Sequence, residues 1–298
     1  MGNATIDIGR VGIWTGVFDA HPTTTAVAAA REIEALGFTT LWIPEAVGRD
    51  PFVAAAIHLA GTTTLRLATG IANVYARDPM TTAACQKTLA EAYPGRFLLG
   101  LGVSHRHLVA NLRKHDYDKP LAYMRQYLTA MDEALFMAVG PAEPPRRVIA
   151  ALGPKMLETA AAQADGAHPY FTTPEHTAYA RTTMGDAPFL APEQMVVLDT
   201  DPATARATAR LAMHVYLRAP NYTNNLVRLG YDAADWADPA NPSDRLVDAV
   251  VAWGSAEQVA DRVKSHLDAG ADHVCVQALR PDRAIPIDEW HQLAAVLL

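Results

Sequence analysis

Leu65-Arg-Leu-Ala-Thr-Gly-Ile-Ala-Asn-Val-Tyr-Ala-Arg-Asp-Pro79 is the stretch that decides the fold. Its first part is short, mostly apolar and bounded by turn residues, which reads as a buried strand. Gly70-Ile71 carries that strand into a loop. Asp78-Pro79 then opens a helix: the carboxylate can cap free amides, and proline costs nothing at a first helical position. The stretch is thus a strand, a loop and a helix start, half of a parallel β-α-β unit. Two readings of Gly70 stay open. It is either a tight strand-end turn, where glycine is usual, or a backbone bulge that serves a site.

The same unit recurs on both sides. Strands are predicted at 10–15, 38–43, 65–72, 96–102, 147–152, 166–171, 193–198 and 272–277. Helices are predicted between them, among them 22–36, 51–61, 79–93, 120–138 and 287–297. Ser255-Ala-Glu-Gln258 is a capping box for one more. Eight short apolar strands alternating with helices predict an α/β chain of the (β/α)8 TIM-barrel type, one domain over 1–298. The extra length falls in insertions after strand four (103–119) and strand seven (219–243). The second is rich in Asn, Asp, Pro and aromatic residues, and reads equally as a lid or as a surface excursion. A doubly wound open sheet is disfavoured. Trp14-Thr-Gly-Val-Phe-Asp19 follows strand one, with no glycine-rich phosphate turn.

Composition narrows the function. Hydrophobic residues are 50% and charged residues 19% of the 298, so a large core is available. A net charge of −7 argues against nucleic acid as a partner. No run approaches the length of a membrane span, and Met1–Ile8 lacks the basic and apolar regions of a secretory signal. Met1-Gly2 is not a myristoylation site, because Ile6 stands where a hydroxyl residue is needed. Cys85 has no Cys or His at metal spacing, and Cys275 with His273 two residues before it is too few ligands for zinc, so both read as buried inert thiols, which points to a reducing cytoplasmic setting.

In an eight-fold barrel the chemistry lies at the carboxyl ends of the strands. Those ends deliver Trp14 and Thr15; Glu45; Gly70, Ile71, Asn73 and Tyr75; Gly102, Val103, Ser104, His105 and His107; Leu152 and Gly153; His168 and Tyr170; and Gln277. Aromatics and histidines are plentiful and acids few. His105-Arg-His107 is too little for a zinc site without further ligands, so no metal is expected; a solvated helix start accounts for it as well. Ala150-Ala-Leu-Gly-Pro-Lys-Met156 runs a strand straight into a helix N-terminus, where free amides suit a phosphate and Lys155 adds charge. The alternative there is a compact turn that binds nothing.

Four segments together resemble a known family. They are Phe38-Thr-Thr-Leu-Trp-Ile-Pro-Glu-Ala46; Thr69-Gly-Ile-Ala72 with Arg77-Asp-Pro79; Gly95-Arg-Phe-Leu-Leu-Gly-Leu-Gly102; and Ala151-Leu-Gly-Pro-Lys155. They resemble the luciferase-like monooxygenase superfamily, and within it the actinobacterial branch that uses coenzyme F420. The likeness runs from about Arg10 to Leu297. It implies an F420-dependent oxidoreductase that moves a hydride to or from a small organic substrate. An FMN-dependent monooxygenase and a cofactor-binding protein without turnover are the alternatives. It implies a cis Gly70-Ile71 peptide behind the cofactor ring, and a cofactor held by Gly70, Ile71, Asn73, Gly102, Val103, Ser104, Leu152, Gly153, Pro154 and Lys155. A homodimer is the expected assembly.

The chain departs from the family where its proton chemistry lies. Ala46 replaces the histidine of an acid-His pair, leaving Glu45. No Trp follows Gly102, and His105 stands where some F420 dehydrogenases carry a glutamate. His105 is therefore the expected proton donor or acceptor, with Glu45 orienting the ring or substrate.

Overall fold

The computed structural model describes residues 6–298. The reading of Met1–Thr5 lies outside the described residues. In chain order the elements are β1 (Val11–Trp14), α1 (Thr23–Ala35), β2 (Thr40–Ile43), α2 (Pro51–Gly61), β3 (Arg66–Thr69), β4 (Ala72–Asn73), α3 (Pro79–Ala92), β5 (Phe97–Gly102), α4 (Pro120–Asp132), β6 (Arg147–Ile149), α5 (Pro154–Gln163), β7 (Gly166–Ala167), α6 (Pro174–Met184), β8 (Phe189–Leu190) and β9 (Glu193–Val197). The remainder comprises α7 (Pro202–Tyr216), α8 (Pro220–Arg228), α9 (Asp244–Val250), β10 (Val251–Trp253), α10 (Ala256–Asp268), β11 (Val274–Ala278) and α11 (Ile287–Leu297). Proline occupies the start of α2 through α8, where its missing N–H is no loss. Asp50, Asp78 and Asp201 cap α2, α3 and α7 through their carboxylates.

The strands form one parallel sheet in the order β10-β9-β11-β1-β2-β3-β5-β6-β7-β8, with β4 on β5. The last strand of the order, β8, runs on along the chain into β9, the second strand of the order. Phe189–Leu190 pairs with β7, and Glu193–Val197, two residues on, pairs with β11 and β10.

Alternation along each strand sorts the side chains onto two faces. One set, with Ile13, Leu41, Leu67, Leu99, Ile149 and Val276, packs with helix residues such as Ala30, Ile33 and Leu59. The other gathers Trp14, Trp42, Ala68, Leu98, Val148, Phe189, Ala191 and Cys275, and no helix contributes to it. A sheet face whose side chains meet one another rather than a helix layer has curled around them. This is the inner face.

Several sequence expectations need correction. The third strand is not continuous over 65–72. It breaks at Gly70-Ile71 into β3 and β4, each with its own ladder. Strand six is only two residues of ladder rather than 166–171, because Phe171 adopts a left-handed φ of 56° that leaves the pleat. The helix expected to reach residue 138 stops at Asp132, and Leu135, Met137 and Val139 are exposed rather than packed. β10 was not foreseen: it is three residues long and follows directly on α9, so no loop announces it. No helix among the described residues is long and apolar enough to cross a membrane.

Candidate cofactor and substrate site

The Gly70-Ile71 peptide is cis, as expected. The Trp14 indole N–H donates to the Gly70 carbonyl at 3.1 Å, and the Gly70 N–H donates to the Ile43 carbonyl at 2.8 Å. The bulge is therefore hung between strands one and two. Neither glycine near it tolerates a side chain. A Cβ on Gly70 would lie 2.5 Å from Trp14 Nε1 and 3.0 Å from His168 Nε2, and one on Gly102 would lie 2.5 Å from Ile71 Cγ1.

Glu45 joins this group from the end of β2. Its N–H donates to the Ile71 carbonyl at 3.1 Å, and its Oε2 accepts from the Asn73 N–H at 2.8 Å. Arg77 pairs with both carboxylate oxygens, and Arg113 stands 3.5 Å from Oε1. Thus Glu45, Gly70, Ile71, Asn73 and Gly102 come together. Glu45 is committed to arginines and backbone, which makes it a brace for the bulge.

Val103 and Ser104 lead out of β5. Ser104 takes a φ of 55°, and its carbonyl accepts from the Tyr117 hydroxyl at 3.0 Å. His105, half-buried, follows. Its Nδ1 lies 3.1 Å from Asn221 Oδ1, and its ring is 5.3 Å from that of Tyr222. Burial lowers its pKa, partly offset by the Asn221 bond, so the ring is neutral at pH 7. An amide oxygen facing Nδ1 requires the proton there, which leaves Nε2 as a lone pair.

Leu152, Gly153, Pro154 and Lys155 form the junction of strand five with α5. Gly153 caps that helix and has no side-chain cap to offer. Lys155 is exposed. The cation nearest Gly153 is Arg228 instead, 3.5 Å from the point where a Gly153 Cβ would stand, and it makes no hydrogen bond or ion pair among the described residues. Next door, α6 also starts without a side-chain cap bond. The buried Thr172 and Thr173 hydroxyls, His176 Nδ1 and both amide atoms of Asn225 have no partner, although His176 Nε2 donates to the Leu152 carbonyl at 2.9 Å. Buried polar atoms are nearly always satisfied, so this cluster has the donor set of a ligand site.

The insertion after strand seven ties the two groups together. On α8, Asn221 and Tyr222 meet His105, while Arg228 reaches Gly153. The signal for Asn221, Tyr222, Asn225 and Arg228 lay in that insertion's polar and aromatic composition, but nothing in the sequence said which way they face.

The luciferase-like monooxygenase family model matches residues 11–273. The chain belongs to that family. It is similar to a Mycobacterium tuberculosis protein provisionally named a coenzyme F420-dependent oxidoreductase, 32% identical over 119 residues, 40% of this chain and 34% of that protein. The match thus spans about a third of that relative's length. Among solved structures it resembles an F420-dependent secondary alcohol dehydrogenase in complex with an F420-acetone adduct, with a TM-score of 0.80, 15% identity, and 97% and 99% of the two chains covered. It also resembles the FMN complex of a type II Baeyer-Villiger monooxygenase from Pseudomonas putida, with a TM-score of 0.69, 14% identity, and 97% and 98% covered. These relatives and neighbours are named as oxidoreductases and monooxygenases.

Proposed function

We propose that the chain is an F420-dependent oxidoreductase that moves a hydride between the deazaflavin and a small organic substrate. We place its site at the mouth of a closed (β/α)8 barrel with insertions after strands four and seven. The observation that carries the reading is the cluster at Gly153: an uncapped helix start, an unpaired guanidinium, and buried hydroxyl, imidazole and amide atoms without partners. Free amides and a cation are what a phosphate group requires. The groups fit a phosphorylated cofactor, with Gly153, Pro154, Lys155 and Arg228 at its phosphate. The Gly70-Ile71 bulge, Asn73, Gly102, Val103, Ser104 and Leu152 take the ring and its linker.

When bound, coenzyme F420 supplies hydride chemistry, and the chain supplies position and protons. The bulge, braced by Glu45 through Asn73 and Ile71, would hold the ring. α8 excludes water above His105. His105 Nε2, with its lone pair free, accepts the proton of a substrate hydroxyl as that carbon loses hydride.

FMN is the second reading, favoured by the likeness to an FMN-bound monooxygenase. Fluorescence titration of the purified protein with each cofactor decides. Micromolar F420 binding with weaker FMN binding supports the proposal. Tight FMN binding with no F420 binding replaces it. Arg228→Glu should weaken F420 far more than riboflavin, which has no phosphate.

A further inference from the structure

The polar groups around Gly153 are of two kinds. At the start of α5 they only donate: backbone amides without a side-chain cap, and the Arg228 guanidinium. Behind them the groups are neutral and mixed. Thr172, Thr173, His176 and Asn225 are each 1% exposed or less. The two threonine hydroxyls, His176 Nδ1 and both amide atoms of Asn225 lack a partner among the described residues.

His176 decides what this inner layer takes. Its Nε2 faces the Leu152 carbonyl at 2.9 Å, and a carbonyl oxygen can only accept. The proton is therefore on Nε2, and burial keeps the ring neutral. Nδ1 is then a buried lone pair that needs a hydrogen bond given to it, and no donor of the cluster lies within bonding distance. A phosphate oxygen cannot give that bond, and a lone pair turned toward an oxyanion is repelled. Asn225 Oδ1 has the same need. The layer calls for a group that both donates and accepts, and a hydroxyl is such a group.

α8 sets the order in which a ligand meets these groups. Asn221, Asn225 and Arg228 stand at i, i+4 and i+7, on one face of the helix. Asn221 meets His105. Tyr222 packs on Phe171, the residue before Thr172, with 5.3 Å between ring centres. Arg228 stands at Gly153, and its charge is felt at His176. From Asn221 to Arg228 the helix advances about 10 Å, at ~1.5 Å per residue, with Asn225 between them. A ligand lying along this face meets an imidazole base, then the mixed neutral groups, then the donors for an anion.

We propose that His176, Asn225, Thr172 and Thr173 form a polyol site, which selects hydroxyl groups on the chain that leads to the phosphate of the bound ligand. This rests on the functional reading above, which puts the phosphate at Gly153. His176 Nδ1 and Asn225 Oδ1 accept from the chain hydroxyls, and Asn225 Nδ2 and the threonine hydroxyls donate to them. These atoms are sealed from water, so α8 lifts to admit the chain and closes on it. The site then prefers a hydroxylated phosphate to a plain alkyl phosphate of the same length.

The test titrates two probes of one chain length, ribitol phosphate and n-pentyl phosphate, into the cofactor-free protein by calorimetry. Ribitol phosphate should bind about tenfold more tightly or better, since a hydrogen bond left unmade to a buried polar atom costs at least that. Asn225→Leu should remove most of this preference without weakening pentyl phosphate, and Arg228→Gln should weaken both probes alike. Equal affinities, no binding of either probe, or a preference that survives Asn225→Leu overturns the assignment. Should Asn225→Leu not fold, nitrogen NMR of labelled histidine in the wild type decides. The lone-pair Nδ1 resonance of His176 should shift with ribitol phosphate and stay in place with pentyl phosphate; a resonance indifferent to both overturns the site. Titration with F420 separates the two ideas. A preference for ribitol phosphate in a protein that does not bind F420 keeps the polyol site and removes the F420 reading. F420 binding with equal affinities for the probes does the reverse.

Discussion

Arg77 grips Glu45 with both prongs of its guanidinium, Nη1 to Oε2 and Nη2 to Oε1, each at 2.9 Å. The carboxylate is 4% exposed and the guanidinium 14%. Arg77 also pairs with Asp50, the cap of α2, and lies over the Phe52 ring. One arginine from the 70–79 loop therefore fastens strand two, α2 and the bulge together. Glu45 is thus held as part of the framework.

Breaking that pair should cost stability before it costs chemistry. Arg77→Ala leaves Glu45 buried beside Arg113 alone. Removing one partner of a buried pair typically costs about 3–5 kcal/mol. Urea denaturation of the cofactor-free protein should show a loss of that order. A midpoint equal to wild type would mean that Glu45 is not held as described.

Gly102→Ala tests the other side of the bulge. The new methyl would meet Ile71 Cγ1 at 2.5 Å and Cδ1 at 2.6 Å. The Ile71 side chain must turn away, and overpacking of this kind costs roughly 1–3 kcal/mol. Because the displaced residue is the one proposed to back the ring, F420 affinity should fall more than thermal stability suggests. Gly95→Ala, whose Cβ would meet nothing, is the control for glycine replacement away from the site, with its own penalty for a φ of 71°.

What the sequence disclosed and what it hid follow from different physics. Periodicity and proline placement are local, so the eight principal strands and the starts of α2 through α7 were legible, while α8 lay unread inside the 219–243 insertion. The cis peptide was legible only through resemblance. Strand six was overestimated because Tyr170-Phe171 is apolar for another reason: it packs against α7 and α8, and composition alone does not tell a ladder from a cluster. Lys155 was legible because it adjoins Gly153 in sequence, whereas Arg228 comes from an insertion 73 residues further on, a distance no local pattern encodes. In the sequence Glu193 is only the first residue of the seventh strand. Only the inner-face register shows that it points away from water.

Acid should unfold the protein early. His58, His168, His176 and His273 are buried and held down to about 4, and His266 to about 3, in every case chiefly by burial. Their unfolded values lie near 6.5. Between about 4 and 6.5 the unfolded chain binds the protons and the folded chain does not, so stability falls as pH falls through that window. Thermal melts at pH 7, 6, 5 and 4.5 should show a progressive drop. Substituting His266, which bridges Gln194 and Thr177, by Gln should lessen the slope even if it lowers the plateau.

His105 and Asn221 make the last prediction. If Nε2 is the base for a substrate hydroxyl, His105→Ala should lower oxidative turnover by roughly 10²–10⁴-fold while F420 affinity changes little. Asn221→Ala removes the bond that fixes the tautomer and raises the His105 pKa, so it should cost less and keep the pH limb but shift it to lower pH. That limb is the decisive observation. A neutral imidazole is required, and burial lowers its pKa. Wild-type kcat/KM for oxidation should therefore decline as pH falls, at a lower pH than an ordinary histidine would give. The decline should vanish in His105→Ala along with the rate. A limb that persists in the alanine variant would assign the base to another group, and His107, exposed on the turn that follows, is the first to replace next.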